Sequence, residues 1–203
     1  EKCSAHWARA LKHSGMTQDF PYGVFAMTFM VMLSFGSNLT FAGTVTGKIN
    51  FTGTAPEAQP ISMNADPVCA SLHSEPVYTE TVMANDNGTL RNVFVYVKEG
   101  LEGKTFPAPT TPISIDQKGC HYDPHVFGIQ VGQPLEIINS DNTLHNIHSL
   151  AQQSKQFNLG MPLQGMKLEK TFSNPEIMVK MKCDVHPWMM GYIGVLHHSF
   201  YGV

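Results

Sequence analysis

The sequence predicts an all-β domain, a sandwich or barrel. Three observations carry that expectation: apolar residues recur at every second position in several segments, turn-forming clusters separate those segments at short spacing, and a helical period survives in only one stretch. Alternation of this kind suits strands with one face toward a core and the other toward water.

Read in order from residue 43, "TVTGKINF" sets Val45, Gly47, Ile49 and Phe51 against polar neighbours and predicts a first strand. "DPVCASLHSE", 66–75, is the one stretch with a helical period. "NDNGT", 85–89, predicts a hairpin-type turn, and "NVFVYVK", 92–98, places Val93, Val95 and Val97 on one strand face. A proline-rich connection, "FPAPTTP" at 106–112, leads to "VFGIQVGQPLEIIN", 126–139, where "VGQP" breaks the run into two strands. "EIMVKMKC", 176–183, follows the breaker "FSNPE" with the same period of two.

At 203 residues, 42% hydrophobic and 14% charged, the chain can bury one good core, or one core with a small satellite. The formal net charge of −3 and thirteen scattered Lys and Arg residues provide no basic footprint, which excludes a nucleic-acid partner.

Residues 1–42 differ in texture. "VFAMTFMVMLSF", 24–35, is an uncharged apolar run, followed by polar "GSNLT" and by Thr40 and Ala42 at the −3 and −1 positions of a cleavage site. This is the layout of a secretory signal, too short for a membrane span of about 20 residues. The expectation is a signal peptide over 1–42 and a periplasmic or otherwise exported protein. Membrane association is expected only if the segment stays uncleaved as an anchor.

Export leaves Cys69, Cys120 and Cys183 in the mature chain. Three readings stand open for the first two: a disulfide closing a loop of about fifty residues, a second metal site with His73, His121 and His125, or two free buried thiols.

Near the C-terminal end, "KCDVHPWMMGYIGV", 182–195, sets Cys183, His186 and Met189 at three-residue intervals before an apolar run. Thiolate, imidazole and thioether form a soft donor set, which suits copper and not the hard cations. A second imidazole has to come from another strand end, and "NSDNTLHNIHS", 139–149, supplies His145 after a polar turn. The candidate metal ligands are His145, Cys183, His186 and Met189, a trigonal His₂Cys plane with a weak axial Met around one copper ion.

The pattern C-x-x-H-P-[aromatic]-M before a strand, met by "CDVHPWMMGYIGV", together with H-N-[apolar]-H, met by "HNIH", resembles the cupredoxins, with the loop spacing of the amicyanin branch and a likeness to larger plastocyanin-like periplasmic proteins. The resemblance covers roughly 127–197. It implies a Greek-key β-sandwich with a copper-binding core over 127–203 and an N-terminal β extension over 43–126, packed on or adding strands to the sandwich. It also implies that Asn146 hydrogen-bonds toward the thiolate-bearing loop, and that His186 lies near the surface as the exit for the electron.

The function these readings predict is that of a blue-copper electron carrier, not an enzyme, cycling Cu(I) and Cu(II) between transient redox partners such as a cytochrome or a dehydrogenase. An apolar patch of Pro187, Trp188 and Met190 with Met161, Pro162 and Leu163 is the expected docking surface. The rival from another class is a periplasmic copper storage or delivery module, which a second Cys/His site would favour. A copper enzyme would need a further histidine-rich centre. His148, His197 and His198 are read as solvated or surface histidines, and His125 as a candidate neighbour of the site.

Overall fold

The computed structural model describes residues 43–203; the expected signal peptide lies outside the described residues. The elements in chain order are α1 (Pro67–Ser71), β1 (Val95–Tyr96), β2 (Ile113–Lys118), β3 (His121–Asp123), β4 (Val126–Gln130), β5 (Leu135–Asn139), β6 (His145–Ser149), β7 (Phe157–Met161), β8 (Lys167–Lys170), β9 (Glu176–Lys182), β10 (Met190–Leu196) and β11 (Tyr201–Gly202). Among the described residues, no helix is long and apolar enough to cross a membrane.

Alternation does the folding work where the sequence places it. In β5, Leu135, Ile137 and Asn139 are buried while Glu136 and Ile138 are only partly covered; in β9, Val179 and Met181 point inward. Leu135, Ile137, Val179 and Met181 meet Ile115, Ile129, Ile147, Ile193 and Val195 in one core. Burial of each such side chain contributes roughly 1.5–3 kcal/mol. The strands form an all-β sandwich: a five-stranded sheet in the order β4-β10-β9-β6-β7 and a four-stranded sheet in the order β3-β2-β5-β8. The chain crosses between the sheets at each step from β3 to β6, and again around β8. This leaves parallel pairs β4–β10 and β2–β5 among otherwise antiparallel neighbours. The turn between β4 and β5 contains Gly132 at φ +80°, a left-handed conformation that favours glycine.

β4 is buried along its whole length, so something covers its outer face too. Gly128 of β4 and Gly194 of β10 are paired in register. A Cβ on Gly128 would run into the ring of Tyr201, and one on Gly194 into the ring of Phe94. Those two rings stack with centroids 5.6 Å apart. The small sheet β1–β11 that carries them, formed by pairing Val95 with Gly202 and Tyr96 with Tyr201, therefore lies on a flat spot made by two glycines.

Two strand readings need correction. "TVTGKINF" forms no strand, only an isolated bridge between Asn50 and Thr89, and Val45 is 97% exposed. Alternation without a covering layer leaves no reason for a ladder to extend. In "NVFVYVK" the ladder is two residues long, and Val95 and Val97 face solvent while Phe94 is the ring that packs. Both sets of alternate residues there are apolar, and the larger aromatic area goes inward. The helix expected near 66–75 is present as α1, with Asp66 as its N-cap accepting from the N–H groups of Val68 and Cys69, and Pro67 in its first turn. The sandwich draws β2 and β3 from before residue 126 as well as the strands after it.

Candidate metal centre

β6 and β9 set the site. His148 pairs with Lys182 and Ser149 with Met181, so the first residues of β6 reach past the end of β9 toward the loop that follows it. That loop, 183–189, closes on itself. The N–H of Cys183 donates to the carbonyl of Met189 at 3.1 Å, the N–H of Met189 to the carbonyl of His186 at 3.0 Å, and the N–H of His186 to the Cys183 sulfur at 3.3 Å. The C-x-x-H spacing is what lets the last of these bonds form, because one tight turn returns the histidine amide to the sulfur.

The result is that donor atoms of His145, Cys183 and His186, all buried, lie within 4.8 Å of one another. The two Nδ1 atoms of His145 and His186 face each other at 3.0 Å, and the Cys183 sulfur is 3.8 Å from His186 Nδ1. Met189 is fully buried at the return of the loop, its backbone fixed by the two bonds above.

Two carboxylates that motif reading did not select hold the rings from behind. Asp141 Oδ2 accepts from His145 Nε2 at 2.9 Å, and Asp66 Oδ2 accepts from His186 Nε2 at 3.0 Å. With each Nε2–H committed to a carboxylate, the two Nδ1 atoms are left facing each other, joined in the metal-free site by the proton that His145 holds. Two lone pairs at 3.0 Å repel unless a positive charge, a proton or a metal ion, sits between them. A soft cation beside a thiolate answers that requirement, so the donor set fits copper.

The ionisation of the metal-free site follows the same contacts. Burial would lower the His145 pKa, but Asp141 and the Cys183 thiolate outweigh it and raise it to about 9. Burial would raise the Cys183 pKa, yet bonds from His145 and from the N–H groups of Asn146, His186 and Val185 hold it below its ordinary value. For His186, burial depresses the pKa against the pull of Asp66. Asp66 itself falls to about 2: burial opposes the shift, and the hydroxyl of Thr143, the His186 ring and the α1 amides together reverse it.

Asn146 connects the two segments. Its Oδ1 accepts from the N–H of Asp184 at 2.6 Å and lies 3.2 Å from the Cys183 sulfur. The buried Tyr122 hydroxyl donates to the Asn146 carbonyl at 2.7 Å.

No protein-family model matches the sequence, and a search of curated proteins finds no match. Solved structures similar to it include a copper-containing nitrite reductase from Thermus scotoductus, at 24% identity and TM-score 0.39 over 50% of this chain and 25% of that one. An amicyanin mutant in the Cu(I) form follows at 23% identity and TM-score 0.37, over 41% of this chain and 81% of that one. A purple cupredoxin from Nitrosopumilus maritimus matches at 29% identity and TM-score 0.34, over 40% of this chain and 97% of that one. The fold itself is the two-sheet β-sandwich described above. The chain spans only a quarter of the nitrite reductase's length.

Several expectations change in this domain. His186 is 2% exposed and does not reach the surface, because Asp66 and the sulfur of Cys69, 3.6 Å from its Nε2, cover the ring edge. Met161 is fully buried and receives Gln117 Nε2 on its sulfur at 2.9 Å, so it cannot belong to a docking patch; Leu163, at 68% exposure, can. Cys69 and Cys120 form a disulfide, which removes the second Cys/His site and the free-thiol reading. His125 pairs with Glu80 at 3.2 Å and belongs to none of the donor clusters among the described residues. His198 is buried beside Phe106 and Phe200, because the turn after β10 folds back onto those rings. His148 pairs with Asp184 at 2.9 Å on the partly exposed side of β6.

Asp141 had a faint signal in the sequence, four residues before His145 in "DNTLH". Asp66 had none, since 120 residues separate it from His186.

Proposed function

We propose that this protein is a type 1 copper protein that carries single electrons between redox partners, with His145, Cys183, His186 and Met189 as ligands. The observation that carries the proposal is the pair of imidazole Nδ1 atoms facing each other at 3.0 Å beside a buried cysteine sulfur, with both Nε2 atoms already held by carboxylates.

Copper bound there would supply a one-electron couple in a ligand set suited to both of its oxidation states. The protein's part is to hold the donors still. Cys183 gives a sulfur whose pKa His145 and backbone N–H groups hold below the ordinary thiol value, and the carboxylates fix each imidazole's orientation. Burial of Cys183, His145, His186 and Met189 excludes water and substrate from the centre, which supports a carrier over an enzyme. With the second Cys/His site replaced by a disulfide, the storage or delivery reading loses the feature that favoured it. That same disulfide supports an oxidising compartment, in keeping with export to a periplasm. Exposed Pro162, Leu163 and Pro187 offer a small apolar contact for a transient partner such as a cytochrome or a dehydrogenase.

Copper titration of the purified protein tests the reading. An intense visible charge-transfer band should appear at one copper per chain and vanish in Cys183→Ser. A loaded protein without the band, or a variant that keeps it, would overturn the assignment.

A further inference from the structure

His186 sits on a loop, and a ring on a loop can turn unless its far nitrogen is tied. Here the tie comes from outside the two motif segments. Asp66 uses every direction its carboxylate offers: Oδ1 accepts from the N–H groups of Val68 at 2.8 Å and Cys69 at 3.3 Å, and Oδ2 accepts from the Thr143 hydroxyl at 2.7 Å and from His186 Nε2 at 3.0 Å. Three residues on, Cys69 is bonded to Cys120. The N–H of Cys120 donates at 2.7 Å to Asp141 Oδ2, the same oxygen that accepts from His145 Nε2. One covalent bridge therefore joins the frames of the two carboxylates behind the two histidines.

We propose that Asp66 is the positioning residue for His186: held by α1 and the Cys69–Cys120 bridge, its carboxylate fixes the ring with Nε2–H outward and Nδ1 committed to the metal, and favours Cu(II) over Cu(I). This inference rests on the copper reading. A carboxylate accepting from a ligand imidazole makes that imidazole a stronger donor, which the more highly charged ion feels more.

Asp66→Asn keeps a side-chain oxygen for the helix cap and removes the negative charge, so folding is preserved as far as the cap governs it. In metal-free wild-type protein, nitrogen NMR should show His186 with its proton on Nε2 and slow exchange, and Asp66→Asn should lose that protection. In the copper-loaded protein the variant should keep its visible band and lose about tenfold of its preference for Cu(II) over Cu(I), a rise of about 59 mV in the one-electron potential. Glu75→Gln, which removes an exposed charge from the same segment, should leave both readouts unchanged. A coloured Asp66→Asn protein with unaltered potential and unaltered His186 signals overturns the inference, as does an equal shift in Glu75→Gln. A wild-type protein that never colours overturns the copper reading instead, and the metal-free NMR then still decides whether Asp66 fixes the ring.

Discussion

Gly128 and Gly194 lie side by side across the parallel β4–β10 pair and form the floor on which the rings of Tyr201 and Phe94 stack. Any side chain at either position has to displace a ring and, with it, the β1–β11 ribbon. Gly194→Ala should lower the unfolding free energy by about 1–3 kcal/mol, the usual cost of overpacking. Chemical denaturation followed by circular dichroism measures it, and an unchanged midpoint would show that the ribbon does not depend on this floor.

The Cys69–Cys120 bridge closes a sequence separation of 51 residues. In the chain-entropy account such a loop contributes about 4 kcal/mol by restricting the unfolded state. Cys69→Ser together with Cys120→Ser should therefore melt at a markedly lower temperature than wild type under oxidising conditions. Equal melting temperatures would remove the bridge from the stability account.

Acid should destabilise the metal-free protein through Asp66 and Asp141. Both carboxyls are held below the ordinary value of 3.8 in the folded state, Asp66 at about 2. A depressed folded pKa contributes stability that is present above the unfolded pKa and is lost as pH falls through the folded one. Urea midpoints should thus decline between about pH 4 and pH 2, and the decline should be shallower in Asp66→Asn. Parallel curves for the two proteins would contradict the assignment of that limb to Asp66.

Copper affinity should also fall in acid, for a separate reason. Binding requires Cys183 as thiolate and both imidazoles neutral at Nδ1, so protons compete with the ion. With His145 raised to about 9, its proton already competes at neutral pH, and each proton displaced on binding lowers the apparent affinity by about tenfold per pH unit. Competition titrations with a chelator at pH 7, 6 and 5 measure the slope; a flat profile would mean the imidazoles are not ligands.

The convergence of the 183–189 loop is legible in the sequence because its parts are close along the chain. Cys183, His186 and Met189 fall within one turn of backbone, so spacing alone restricts how they can converge, and the sulfur's bond from the His186 amide follows from that spacing. His145 was found through its place after a strand and a polar turn, and β6 and β9 do pair so as to bring it to the loop. The extension before residue 113 is less legible. Alternation in "TVTGKINF" and "NVFVYVK" marks residues that could share a face, and says nothing about whether a second layer exists to cover it or which of two apolar faces will be chosen.

The sequence by itself determined the sandwich class and the soft donors, because strand periodicity and turn chemistry act over a few residues and a C-x-x-H-P-x-M loop carries its own geometry. Only the tertiary structure decided that His186 is covered, since the group covering it, Asp66, is 120 positions away and reaches it through a helix cap and a disulfide. Contacts of that range depend on how whole strands are registered and crossed, and no local pattern records them.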